Sequence, residues 1–122
     1  MFRSERGAVM VVAAIMMVTL MASAAVVIDA GQLFLAKKRL QNAADASALA
    51  GCFTLVNKQD PVLADAESSK YISANVIGEY QYSPTVDLDK NTFQVNLFQK
   101  VEHFFATVIG IDSSTVSATA TA

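Results

Sequence analysis

Between Arg6 and Asp29 the chain carries no charged residue, and the run Ala8–Ile28 sets the solvent in which the rest must be read. As a helix, about 21 residues at ~1.5 Å per residue span roughly 31 Å, close to the ~30 Å of a bilayer's hydrocarbon core. A helix closes its own backbone hydrogen bonds, so such a segment can lie in lipid without stranded amides. Ala22-Ser23-Ala24-Ala25 offers the small residues of a signal-peptide cleavage site. The apolar run nevertheless exceeds the usual h-region of about 7–15 residues and leads directly into a second helical pattern. A membrane anchor is the expectation.

The chain of 122 residues therefore divides into a head plus transmembrane helix, residues 1–28, and a small domain, residues 29–122. A domain of that size buries little core by itself, so packing against its own long helix or against neighbours should matter. The net charge of −2 argues against nucleic acid as a partner, since phosphate neutralisation needs a basic surface. Lys37-Lys38-Arg39 reads instead as a solvated helix face or a contact with lipid headgroups. Positive charge is nearly balanced across the anchor. The short head with Arg3 and Arg6 is easiest to leave in the cytoplasm, which places the domain on the far side. Cys52 has no partner cysteine and reads as a small, buried hydrophobe.

No helix breaker follows until Asn57, which predicts one helix from Ala8 to Val56 with a bend at Gly31. Leu33, Leu40, Ala44 and Ser47 mark one face of it. Ala43, Ser47 and Gly51 lie four apart, as do Ala44, Ala48 and Cys52. Rows of small side chains admit another backbone closely. They suit either the domain's own sheet or a helix from another copy or partner.

Asp60-Pro61 combines an N-cap with proline at the first helical position, predicting a helix from Pro61 to Ile77 that stops at Gly78. Its expected inner face is Val62, Ala66, Ser69, Ser73, Val76 and Ile77. The period then changes to two. Val86 and Leu88, then Asp89-Lys90-Asn91, then Phe93, Val95 and Leu97 predict a hairpin, with Gln94 and Asn96 on the wetter face. Tyr80 and Tyr82 extend the first strand, which Pro84 interrupts. Val101, Phe104, Phe105, Val108 and Ile109 recur at helical spacing before Gly110, predicting a third helix. Val116, Ala118, Ala120 and Ala122 alternate with hydroxyl residues as a last strand. With a helix between them, the Phe93 strand and this one would pair in parallel. The expected class is α+β, a long helix with two further helices around one small sheet.

Motifs for chemistry are missing. His103 is the one histidine, and no second ligand lies at zinc spacing. The glycines at 7, 31, 51, 78 and 110 form no phosphate loop. Neither an enzyme nor a cofactor is expected. Asp29 has the one unusual address for an ionisable group, at the edge of the anchor. It reads either as an interface carboxylate in contact with water or as one paired with a cation from another subunit.

Arg6-Gly7-Ala8-Val9, the apolar span, Ile28-Asp29-Ala30-Gly31-Gln32-Leu33-Phe34-Leu35 and Leu40-Gln41-Asn42-Ala43-Ala44-Asp45-Ala46-Ser47-Ala48-Leu49-Ala50-Gly51 together resemble the N-terminal region of TadE/TadG-like proteins of bacterial tight-adherence (Flp-type) pilus machinery. Phe105-Ala106, Gly110 and Val116–Ala122 resemble the end of such a pilin-like module. The resemblance implies a single-pass protein of the bacterial inner membrane, its domain extracytoplasmic, whose partners are lipid and other pilus-assembly or pilin-like subunits. The residues read above from spacing and position, Asp29, Ala43, Ala44, Ser47, Ala48 and Gly51, are the candidates for helix packing or assembly, and Gly7–Ala8 is the candidate processing junction. Processed relatives carry glutamate five residues beyond the cleavage glycine, where this chain has Val12. Three roles follow from the sequence: an assembly component, the repeating subunit of an extracellular filament with a core of apolar helices, or a membrane-tethered binding module with no nameable pocket.

Overall fold

The computed structural model describes residues 2–122, with side chains from Glu5 onward. Its order is α1 (Phe2–Lys58), α2 (Pro61–Asn75), β1 (Tyr80–Asp87), β2 (Thr92–Glu102), a 3₁₀ turn (Ala106–Ile109) and β3 (Ser113–Thr121). The class is α+β, as the sequence predicts. The first helix continues unbroken through Gly31, where an added Cβ would meet nothing. Glycine there is a tolerated cost rather than a packing requirement.

Burial divides α1 into two halves. From Glu5 to Ile28 every residue is exposed except half-buried Ala25. Beyond that the helix turns a stripe inward: Leu40, Ala43, Ala44, Ser47, Ala48, Gly51 and Leu55 are all buried. Their spacing of three and four keeps them on one face.

The sheet lies under that stripe in the order β1-β2-β3, antiparallel throughout. The central strand β2 runs back along α1, with Phe93 beneath Gly51 and the Phe104 amide at Asp29. The lengths agree. About 22 helical residues at ~1.5 Å give roughly 33 Å, and about 11 extended residues at ~3.3 Å give roughly 36 Å. Phe93, Val95 and Leu97 from β2 and Val116, Ala118 and Ala120 from β3 fill the space between, while the intervening polar side chains face outward. The expected alternation in both strands is observed.

Helix α2 starts as predicted: the Asp60 carboxylate accepts from the amides of Val62 and Leu63 at 2.9 and 3.2 Å. It ends at Asn75, two residues before the expected Ile77, because Val76 is already extended. Its inner face is also not the expected one. Ala64, Ser68 and Ile72 are buried, whereas Val62 and Ile77 are largely exposed. Small Ala64 and Ser68, one turn apart, let α2 lie close along α1, Ile72 fills the next turn, and polar Ser68 is accommodated by Tyr82.

Three further expectations give way. Residues 101–109 do not form a helix: β2 runs on through Glu102 and only Ala106–Ile109 turns, as 3₁₀. The β2 and β3 strands are antiparallel, with Leu97 opposite Ala118. The link 103–112 is too short for a parallel crossover, which takes about a dozen residues or more. Pro84 does not interrupt β1, since it lies on an edge strand opposite Val95 and needs no second partner.

Candidate functional site

The place where α1 leaves its exposed half and meets the domain is built around Asp29. The residue is 7 % exposed. Oδ1 accepts from the amides of Phe104 at 3.0 Å and Phe105 at 3.3 Å, and Oδ2 from those of Phe105 at 3.1 Å and Ala106 at 2.7 Å. These are the free amides that open the 3₁₀ turn, where an anion is favoured. Gly110 closes the turn at φ +85°, a left-handed conformation that glycine adopts without strain.

Burial pushes the Asp29 pKa up. The amides of Ala106, Phe104 and Phe105, helped by the nearby His103 ring, more than offset this and hold it below the ordinary carboxylate value. His103 in turn lies 2.9 Å from Ser114 Oγ. Asp29 thus fastens the β2–β3 loop to α1, and its hydrogen-bonding partners belong to its own chain.

The small-residue rows have a comparable fate. Ala43, Ala44, Ser47, Ala48 and Gly51 are buried within the fold, and a Cβ on Gly51 would sit 2.6 Å from the Phe93 ring. Ser47 satisfies its hydroxyl on the Ala44 carbonyl at 3.0 Å. Of the two readings these rows allowed, the packing present is that against the chain's own sheet and α2. Gly7 and Ala8 lie on the exposed part of α1. Cys52 is half-buried, its Sγ 3.6 Å from the Asn91 carbonyl at the β1–β2 turn.

Residues 7–66 match the family model for Flp pilus-assembly TadE/G-like proteins, named Tad. Over those residues the chain is similar to TadE/G-like proteins. The match covers most of α1 and the start of α2, so it includes Asp29 and every buried small residue of α1, while the sheet lies beyond it. No curated protein and no solved structure matches the chain. The Tad match connects the chain with Flp (tight-adherence) pilus assembly. The described part of α1, Glu5–Lys58, is long and apolar enough to cross a membrane and is compatible with anchoring.

Sequence reasoning missed the loop that receives Asp29. Val101 fits both the period-two run from Phe93 and the helical run to Ile109, and the second pattern hid the strand. The available signal was distance. A strand carried from Phe93 through Val101, with only Gln99 interrupting the apolar alternation, brings the loop level with Asp29.

Proposed function

We propose that this TadE/G-like chain is a membrane-anchored, pilin-like assembly component of a tight-adherence pilus system. Residues 1–28 cross the inner membrane once, and the domain 29–122 stands on its extracytoplasmic side. Its role on this reading is mechanical rather than catalytic: the anchor holds the domain at a fixed height, where other pilus-assembly subunits engage it. The observation that carries this reading is the continuity of α1. One helix supplies both an exposed apolar half, as lipid requires, and the buried spine of the domain.

A second reading rests on that exposed half. Val11, Ile15, Val18 and Val26 are all more than half exposed, and a dry bundle of like helices in a filament would cover them as well as lipid. Deleting the gene and shearing the surface separates the two. For an assembly component, filaments are lost on deletion, and in the complemented strain the chain stays in the membrane fraction. For a filament subunit, the chain appears in the sheared fibres. Filaments in normal number and length without the chain would contradict both.

A further inference from the structure

The two ends of the sheet differ in polarity. The β1–β2 end, level with Cys52, carries Asp87 at the close of β1 and Asp89 and Lys90 in the turn. The β2–β3 loop, level with Asp29, carries no acid, lysine or arginine between Glu102 and Asp112. It displays Phe104 at 69 %, Val108 at 87 % and Ile109 at 75 % exposure, with Ile111 about half exposed. Between this loop and α1 lies a largely apolar cleft of about 530 Å³, lined by Val108, Ile109 and Ile111 on one side and by Ala22, Val26 and Leu33 on the other, with the mutually engaged polar groups Asp29, His103 and Ser114 also in its wall.

We propose that the β2–β3 loop is a second membrane contact, inserting its apolar side chains into the leaflet from which α1 emerges, with lipid acyl chains filling the cleft. The proposal rests on the reading of α1 as the anchor, and three observations support lipid as the occupant. The cleft extends down to Ala22, six residues before the anchor's end at Ile28. At ~1.5 Å per residue that is about 9 Å below the end of the apolar span, within the ~5–10 Å depth of interfacial apolar elements. Anything occupying the lower cleft is therefore already inside the leaflet.

The second observation is the loop's backbone. Irregular chain can enter the apolar zone only if its polar groups are satisfied by protein. The amides of His103 through Ala106, and those of Val108, Gly110 and Ile111, all donate within the chain. The Thr107 hydroxyl bonds the carbonyls of His103 and Phe104 at 3.0 and 3.1 Å. Third, Asp29, the sole charge between Arg6 and Lys37, is engaged by this same loop, so the junction presents no bare carboxylate to lipid. Lys37-Lys38-Arg39 then stand roughly 12 Å above Asp29 along the helix, at the height of headgroups.

The test uses the full chain with Cys52→Ser, reconstituted in phosphatidylcholine–phosphatidylglycerol vesicles and labelled with a polarity-sensitive fluorophore at single cysteines. Val108→Cys and Ile109→Cys report the loop, Ile15→Cys the middle of the anchor, and Lys90→Cys the opposite end of the sheet. Both loop labels should lose most of their fluorescence to a shallow nitroxide on the acyl chain and be insensitive to aqueous iodide. Lys90→Cys should show the reverse, and Ile15→Cys should respond to a deep nitroxide. Iodide quenching of both loop labels with Ile15 still in lipid overturns the loop insertion and leaves the anchor standing. If Ile15→Cys also escapes the deep nitroxide, the anchor reading itself fails. Loop labels shielded from iodide yet untouched by lipid nitroxides show a protein cover, such as a second copy, and also overturn the proposal.

Discussion

Replacing Asp29 with asparagine keeps an acceptor oxygen but removes the charge that three amides share. Because the folded pKa lies below the ordinary carboxylate value, the charged clasp stabilises the fold above the unfolded pKa of about 4, and this is lost as pH falls through the folded pKa. Thermal melts of detergent-solubilised Asp29→Asn should therefore lie below wild type at neutral pH and converge with it in acid. A constant gap down to pH 3 would show that the charge has no part in the clasp. Gly51 tests the opposite end. Gly51→Ala gains about 1 kcal/mol of helix propensity. The new methyl meets the Phe93 ring at 2.6 Å, where overpacking costs about 1–3 kcal/mol. Denaturant titration should show net destabilisation, and adding Phe93→Leu should recover part of it as a non-additive pair.

At the scale of elements, legibility followed how much of each signal was local. The α2 start was readable from Asp60-Pro61 alone, and Asp60→Ala should cost about 1 kcal/mol by denaturant titration through loss of the amide acceptor. The strands were readable because period two places Phe93, Val95 and Leu97 together; Phe93→Ala should cost about 3–5 kcal/mol by the same measurement. The inner face of α2 was not readable. Close approach to α1 selects small Ala64 and Ser68 over bulkier Val62, and that choice depends on the partner helix rather than on hydropathy. Tyr82 illustrates the same dependence on distant partners. Its hydroxyl donates to Asp65 at 2.7 Å and lies 3.1 Å from Ser68, tying β1 to α2. Burial, and then the neighbouring Asp65, keep that phenol's pKa above its usual value despite the Ser68 contact. The Asp29 clasp was half legible: the residue stood out by its address, while its partners 75 to 77 residues away did not.

For the whole molecule, one helix has two halves, exposed and apolar to Ile28, as the proposed anchor requires, and part of the protein core from Leu40 onward. The same continuity makes the clasp and the apolar loop consequential, since both lie where one half gives way to the other. Alkaline carbonate extraction of membranes from cells expressing the full chain, followed by mass measurement of the recovered protein, tests this most directly. The chain should remain in the pellet, leave it only with detergent, and retain Ala8–Ile28. Recovery in the carbonate wash, or as a product cut after Ala25, would contradict it.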